Sequence, residues 1–232
     1  MEVSRKALVI CESLAPEIEG IAPPDMEKRV MDFGLHNHPQ KLNQKLRQVV
    51  AELDATQQFG VILLGYGLCS DGVVGLKSKT ARIVVPRTDD CIAIFLGSRE
   101  LCQRERKKEP GTFYLTKGWI EHKEDPLSVY LGEHESTKKY DKKIAQWYAK
   151  EIMRNYKRIA LIDTGAYDLR DYEDYARKTA EVFGLDFEII PGSLEFLKKL
   201  LHGPWDEDFV VVEPGQEIIR EMFVELGVSP KS

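Results

Sequence analysis

Three cysteines of this chain follow apolar, strand-like runs. They are Cys11, Cys69 and Cys91, and the runs before them span residues 7–10, 61–65 and 83–86. In an open α/β sheet, the carboxyl ends of the strands form the edge at which ligands bind. We therefore expect three thiols from distant parts of the chain to meet there. Three soft ligands at one point indicate a metal ion or an iron–sulfur cluster that keeps one coordination position open.

Two other interpretations of these thiols stay open. They could be core or loop residues, or one of them could be a single catalytic or redox thiol. No two cysteines have the two-residue gap of a zinc ribbon or a ferredoxin loop, so a shared centre depends on the fold to assemble it. Cys102 lies inside a predicted helix at 98–109, and we interpret it as an ordinary core residue.

The number of thiols favours one cofactor over another. A four-iron cluster held by Cys11, Cys69 and Cys91 leaves one iron open to a substrate. A structural zinc ion needs a fourth protein ligand, which His36 or His38 could supply as Cys₃His. The sequence thus favours a 4Fe–4S cluster, with zinc as the alternative.

Polar residues near the same strand ends are candidates for catalysis. Tyr66 stands between two glycines after the second run, in what we expect to be a tight turn that presents it together with Cys69. Arg87 and Asp90 follow the third run, where they could hold a carboxylate or phosphate and move a proton, or form an internal ion pair and a helix cap. His36 could act as a general base.

The segment 65–70 also resembles part of a nucleotide-binding fingerprint. Its Gly-x-Gly-x-x-Ser pattern follows a strand, and Asp89 lies at about the distance of a ribose-binding acid. However, Ser70 replaces the third glycine, and the segment before the next strand is too short for a normal crossover helix. A nucleotide-binding module is therefore an alternative function.

Composition excludes some classes of partner. The chain has 232 residues, 43% apolar and 31% charged, with a net charge of −5, which is typical of a globular protein rather than a nucleic-acid binder. No apolar window reaches the length of a membrane span, and the N-terminus lacks the features of a secretory signal. We expect a cytoplasmic protein that binds a small molecule and neither nucleic acid nor membrane, and its oligomeric state is left open.

Strands and helices alternate along most of the chain, which predicts parallel βαβ units. We expect an α/β protein of two similar three-layer halves with mainly parallel sheets, Rossmann-like but without a complete dinucleotide fingerprint. The N-terminal half (1–120) would carry the three-cysteine site. A polar connection (121–135) would lead to the C-terminal half (136–232).

Two helices are predicted from their apolar spacing. Leu42, Leu46, Val49, Val50 and Leu53 mark the apolar face of one helix. A long helix opened by Ser136 has an inner face at Tyr140, Ile144, Trp147, Tyr148 and Ile152. The last third continues as strand and helix in turn, and its final predicted helix spans residues 217–226.

Several motifs resemble those of an uncharacterised family, catalogued as domain of unknown function 1638. They lie at residues 11–12, 34–36, 64–69, 86–87, 90–92, 96–98, 110–112 and 118–121, with a weaker echo at 203–206. The family pattern usually has glycine at the position of Ser70 and histidine at that of Asp89. The motifs include Cys11, Cys69 and Cys91 but not Cys102, which agrees with the grouping made above from strand ends.

The resemblance implies a link to one-carbon metabolism, because members look like companions of corrinoid-dependent methyl-transfer systems. A bound corrinoid is not expected, because this chain lacks the cobalt-ligating Asp-x-His-x-x-Gly loop. Our leading hypothesis is a metal- or iron–sulfur-dependent enzyme, a lyase or transferase, that removes or transfers a methyl or sulfur group. The alternative is a non-catalytic accessory or metal-delivery protein for a methyl-transfer partner.

Overall fold

A computed structural model describes residues 5–224. These residues fall into two compact units: unit 1 contains Met1–Ile94 and Glu195–Ser232, and unit 2 contains Phe95–Leu194. This division differs from the boundaries expected from the sequence. The expected connection at 121–135 lies within unit 2, and the chain from residue 195 onward groups with the N-terminal part.

The described residues contain eight strands and nine α-helices. The strands are β1 (Lys6–Cys11), β2 (Glu27–Met31), β3 (Val61–Gly65), β4 (Arg82–Pro86), β5 (Thr112–Leu115), β6 (Arg158–Asp163), β7 (Asp186–Pro191) and β8 (Phe209–Val212). The helices are α1 (Ala15–Ile18), α2 (Pro39–Thr56), α3 (Ile92–Leu96), α4 (Arg99–Lys108), α5 (Lys117–Glu121), α6 (Pro126–Leu131), α7 (Lys142–Met153), α8 (Arg170–Phe183) and α9 (Glu195–His202). Short 3₁₀ helices span Glu12–Leu14, Phe33–Asn37 and Arg220–Phe223.

The sheet of unit 1 has the strand order β2-β1-β3-β4-β8. The first four strands are parallel, and β8 runs antiparallel to β4. β1 and β3 are apolar and almost fully buried along their length, as expected for central strands covered on both faces. On one face, four of the five predicted apolar residues of α2 are buried against alternate residues of these strands, and Val49 is partly buried against the same core, so the predicted face is confirmed.

Unit 2 contains a smaller parallel sheet with the order β5-β6-β7. Helix α8 packs on β6 and β7, and helices α6 and α7 pack on each other. A buried charge network ties the sheet to α4: Arg158 of β6 donates to Glu105 at 2.8 Å, and its other guanidinium nitrogen bonds Glu188 of β7. Both units thus have mainly parallel sheets with interleaved helices, which is the Rossmann-like α/β arrangement predicted from the sequence.

Three details near the C-terminal end differ from the prediction. β8 is antiparallel and completes the sheet of unit 1, whereas the sequence predicts a parallel strand of the second half. Within the described part of 217–226, only the 3₁₀ helix Arg220–Phe223 forms, and residues 225–226 lie outside the described residues. Glu217 instead forms an isolated antiparallel bridge with Lys77.

Helix α7 also differs, because its faces are reversed. The five residues predicted to face inward (Tyr140, Ile144, Trp147, Tyr148 and Ile152) are all exposed. The buried residues of α7 are Ala145, Ala149 and Met153. The helix begins at Lys142, after the Asp141 side chain caps it by accepting bonds from the backbone N–H groups of Lys143 and Ile144.

Among the helices of residues 5–224, none has the length and apolar character that a membrane span requires.

Candidate functional site

The candidate site lies at the carboxyl edge of the unit 1 sheet. Chain order reverses between β1 and β3, because β2 lies on one side of β1 and β3 lies on the other. In open parallel sheets, the crevice beyond such a reversal is the usual ligand site. Cys11 is the last residue of β1, Cys69 lies in the loop after β3, and Cys91 lies in the loop after β4. The fold therefore brings the three predicted cysteines to the ends of three neighbouring strands.

The loops that carry Cys69 and Cys91 are hydrogen-bonded to each other. Leu68 donates its backbone N–H to the carbonyl of Thr88 at 2.7 Å, and Cys69 donates to that of Asp89 at 2.9 Å. A Cβ atom on Gly67 would lie 2.8 Å from the Thr88 carbonyl oxygen and 2.9 Å from the Asp90 nitrogen. Gly67 is thus needed because the two loops approach closely, and not because the backbone turns left-handed there.

Next to this contact the backbone is strained. Cys69, Ser70 and Asp71 have φ values of 47°, 54° and 70°, a left-handed conformation that costs non-glycine residues about 1–3 kcal/mol each. The turn is closed by a bond from the Gly72 N–H to the Cys69 carbonyl at 3.1 Å. Asn43 of α2 holds it by donating its amide to the Gly72 carbonyl at 3.0 Å. Surrounding structure therefore fixes Cys69 in a costly conformation, as is common at ligand sites.

None of the three thiols forms a disulfide, and each has a pKa above its usual value. Burial raises the pKa of Cys11, and the charges of Glu12 and Asp32 raise it further against the opposing effect of hydrogen bonds with Ser13. Burial, followed by the charges of Cys11 and Asp90, raises the pKa of Cys69 to about 12. The pKa of Cys91 lies well above its usual value because of burial first, and then the charges of Asp90, Cys69 and Cys11. The charge of Cys11 thus raises the pKa of both Cys69 and Cys91, so these thiols interact electrostatically.

This proximity does not amount to a preassembled metal site. Within residues 5–224, no group of three or more His, Cys, Asp or Glu side chains is placed so that it could hold a metal ion. The donor chemistry nevertheless suits a thiophilic metal, because a cation would stabilise three thiolates that otherwise repel one another. The three-cysteine centre accordingly stays a prediction.

Tyr66 lies beside these thiols with an unused polar group. Only 3% of the residue is exposed, and its hydroxyl has no hydrogen-bond partner among the described residues. Burial raises the pKa of Tyr66 well above its usual value, and the charges of Cys11 and Cys69 raise it further. A buried hydroxyl without a partner is costly, so its presence next to two thiols favours a ligand-binding role.

The other predicted catalytic residues lie at the same edge. His36 follows β2 in a 3₁₀ helix, and its Nδ1 lies 2.6 Å from the Phe33 carbonyl. A carbonyl only accepts, so Nδ1 carries a proton, and in the neutral ring Nε2 is the atom with the lone pair. His38, the alternative ligand, is the residue just before α2 and does not cap it with its side chain.

Arg87 and Asp90 both have structural partners. Arg87 donates Nη2 to the carbonyl of Phe209 at 3.2 Å, while its buried Nε has no partner among the described residues. Asp90 accepts a bond from the backbone N–H of Ile92 at 2.9 Å, at the start of α3. The helix cap considered for Asp90 is thus present. This bond orients its carboxylate next to Cys91, whose pKa it raises.

A polar groove opens beside Cys69. Its volume is about 850 Å³, and Ser70 and Asp71 form one wall while the first turns of α2 form the other. His38, just before α2, and Lys41, Asn43 and Gln44 of α2 are among its lining residues. Sequence reasoning did not identify Asn43, which both lines this groove and holds the strained turn. In the sequence, Asn43 is distinguished only by its position on the polar side of α2, and any solvent-facing asparagine could have such a position.

The nucleotide alternative loses its main physical support. A dinucleotide fingerprint places the pyrophosphate at the N-terminus of the helix that follows the glycine-rich turn. Residues 66–81, between β3 and β4, contain turns, bends and a single bridge residue but no helix. Cys102 behaves as predicted: it is 3% exposed within α4 of unit 2, apart from the other three cysteines.

Comparisons with known proteins identify a family but no characterised relative. No curated protein and no solved structure matches the chain. One family model matches residues 30–201, a range that includes Cys69 and Cys91, whereas Cys11 lies upstream of it. Because this match covers most of the chain, the protein belongs to the family described as "Protein of unknown function (DUF1638)".

Proposed function

We propose that Cys11, Cys69 and Cys91 hold a metal centre with an open coordination position, and that the protein uses this centre in small-molecule metabolism. A 4Fe–4S cluster is the preferred cofactor, since three thiolates leave its fourth iron open, and zinc is the alternative. One observation carries the proposal: Cys11 at the end of β1, Cys69 in the loop after β3 and Cys91 in the loop after β4 lie at the ends of three neighbouring strands next to the reversal point of a parallel sheet, where the charge of Cys11 raises the pKa of the other two.

Electrostatics explain why a cation would stabilise such a site. Deprotonating all three thiols would place three negative charges next to Asp90 in a buried corner. A cation stabilises thiolates, so binding would release their protons and offset the cost of burying charge. When bound, the metal would supply a Lewis acid that accepts an electron pair from a small leaving group.

The chain's own residues would position and protonate the substrate. The Tyr66 hydroxyl, which lacks a protein partner, would donate to a substrate atom near Cys11 and Cys69. The partnerless Nε of Arg87 would donate to an anionic group, and Asp90 would move a proton beside Cys91. His36, at the end of the neighbouring strand β2, could serve as base through Nε2.

The groove beside Cys69 sets the expected substrate class. Amide, hydroxyl and ionisable side chains line it, so a small polar or anionic metabolite fits better than an apolar one. Transfer or removal of a methyl or sulfur group is the reaction class we propose.

The test is purification without oxygen, followed by analysis of iron, zinc and acid-labile sulfide and an absorption spectrum. We expect the wild-type protein to contain iron and sulfide and to absorb broadly at about 400 nm. Thiolate-to-iron charge transfer absorbs visible light, whereas closed-shell zinc does not. Colourless protein with zinc in stoichiometric amount would replace the cluster with the zinc alternative.

Cysteine variants show whether these three thiols hold the metal. Cys11→Ala, Cys69→Ala and Cys91→Ala should each lose most of the bound metal. Cys102→Ala is the control, because it removes a thiol of unit 2 that is buried like Cys11, and it should keep the full metal content. Circular dichroism confirms that each variant is folded. Equal metal content in all four folded variants would refute the proposal.

A further inference from the structure

The exposed side of α7 carries an unusual row of large apolar side chains. Ile144, Trp147, Tyr148 and Ile152 are 45%, 64%, 41% and 42% exposed, and Tyr140, just before the helix, is 49% exposed. On an α-helix, residues spaced by three, four and eight positions share one face. Ile144, Trp147, Tyr148 and Ile152 therefore lie on one face, which we call the α7 stripe, whereas Tyr140 precedes the Asp141 cap and lies outside the helix.

The α7 stripe is as large as the largest apolar patch of a typical monomer. Aromatic side chains can bury 150–250 Å² each, so four large residues that are about half exposed present on the order of 400 Å². Patches of that size are often functional. The helix does not need this face for its own packing, since Ala145, Ala149 and Met153 already anchor it to unit 2.

One edge of the stripe is basic. Lys143, Lys150 and Arg154 follow one another at intervals of seven and four residues, which places them along the same flank of the helix. Lys143 and Lys150 are exposed, and neither has an ion-pair partner among residues 5–224. An acidic surface is therefore the complement of this edge.

We propose that the α7 stripe binds a partner protein through an amphipathic helix that has an apolar face bordered by Asp and Glu. The aromatic centre would supply most of the affinity, and the basic edge would select an acidic partner and fix its orientation.

A second copy of this chain fits the stripe less well. In an antiparallel two-fold pairing, the same edge of both helices would meet, which brings Lys143, Lys150 and Arg154 of each copy together. The acids nearby are already engaged, because Asp141 caps α7 and Glu151 lies 3.7 Å from Arg154. Glu151 lies within the stripe, one turn from Trp147 and Tyr148, and its carboxylate faces Arg154 at 3.7 Å, so within residues 5–224 the unpaired positive charge of the edge comes from Lys143 and Lys150.

Binding of two synthetic amphipathic helices tests the proposal. Both have the same leucine face, and they differ only in having glutamate or lysine along the edges. Fluorescence anisotropy of the labelled peptides should give at least tenfold tighter binding of the acidic peptide, and this preference should weaken with salt. Trp147→Ala should reduce binding at least tenfold. Lys150→Glu should reduce the preference for the acidic peptide.

Ile189→Ala is the matched control, because Ile189 is 38% exposed on β7 and should not affect binding. Photocrosslinking then examines the natural partner, with p-benzoyl-phenylalanine at Tyr148 or, as a control, at Ile189. An adduct specific to Tyr148 and mapped to an acid-bordered amphipathic segment supports the proposal.

Four results would overturn it. They are equal binding of both peptides, binding of neither, a Tyr148 adduct with this same chain, and sedimentation with vesicles of anionic lipid that Trp147→Ala abolishes. The third would identify a homodimer, and the last a membrane surface.

Discussion

The carboxyl edges of the two sheets have different topology and different chemistry. In unit 1 the strand order reverses between β1 and β3, and the residues after the strands include three thiols and a partnerless tyrosine hydroxyl. In unit 2 the order β5-β6-β7 runs in one direction without a reversal. The residues that follow its strands include Thr116, Thr164 and Ser193, and no cysteine among them.

The two units also hold their polar groups differently. Arg158 of unit 2 is buried but bonds two carboxylates and the hydroxyl of Thr112, so its donors are used within the fold. Around the unit 1 edge, the Tyr66 hydroxyl and the Arg87 Nε lack partners, and Cys69 is held in a left-handed conformation. Unit 2 also has a buried hydroxyl without a partner at its carboxyl edge, that of Thr116 after β5, so an unused polar group alone does not distinguish the two edges. The unit 1 edge differs because its unused polar groups lie near thiols and a strained backbone, a combination typical of a ligand site.

High pH should destabilise the metal-free protein through the unit 1 thiols. Cys69 keeps its proton in the folded state up to a pKa of about 12, whereas in the unfolded chain it loses it near 9. Between these values the unfolded state binds fewer protons, so the free energy of unfolding falls as pH rises, by about 1.4 kcal/mol per pH unit for one such thiol. From pH 9 to 12 the loss from Cys69 alone approaches about 4 kcal/mol.

Urea denaturation of reduced, metal-free protein between pH 8 and 10.5 measures this effect. Cys69→Ala should weaken the pH dependence of the free energy of unfolding relative to wild type. Comparing the two proteins cancels the contribution of the lysines and tyrosines that both contain. Hydrogen exchange read by mass spectrometry should show the alkaline loss of protection in unit 1 peptides first. Identical slopes for wild type and Cys69→Ala would show that this thiol ionises normally and would weaken the contrast between the two edges.

The loop contact that joins Cys69 to Cys91 should tolerate no side chain at Gly67. In Gly67→Ala the new methyl group would lie 2.7 Å from the Thr88 hydroxyl oxygen and 2.8 Å from its carbonyl oxygen, so the loops must separate. We expect a loss of about 2–3 kcal/mol in the free energy of unfolding, as for other overpacked sites. Gly20→Ala is the control, because nothing lies within 4 Å of the added carbon. Equal stability of the two variants would mean that the loops are not held together as described.

Local patterns predicted most of the fold. The apolar run 61–65 coincides with β3, and the run 83–86 coincides with β4 except for its first residue. The positions of the thiols followed from one rule about strand ends. The pairing of β8 with β4 could not be predicted, because an apolar run of four residues does not indicate which strand it joins or in which direction.

Helices α2 and α7 show where periodicity fails. Both have apolar residues at helical spacing, and α2 buries them whereas α7 exposes them. A second stripe on α7, formed by Ala145, Ala149 and Met153, packs instead, because small side chains allow close approach to neighbouring elements. Periodicity identifies the faces of a helix but does not indicate which face meets its own core and which is left for a partner.

The smallest predicted effect concerns the two tyrosine hydroxyls, one in each unit. Tyr66→Phe removes a buried hydroxyl without a partner, so in the metal-free protein it should leave stability unchanged or raise it by about 1 kcal/mol. Tyr175→Phe removes a hydroxyl that lies 3.0 Å and 3.1 Å from the two carboxylate oxygens of Asp125, so it should lower stability by about 1–2 kcal/mol. Thermal and urea unfolding of both variants measure the difference. If Tyr66→Phe proved the more destabilising of the two, the Tyr66 hydroxyl would have a partner within the fold. It would then no longer support a ligand-binding role for the unit 1 edge.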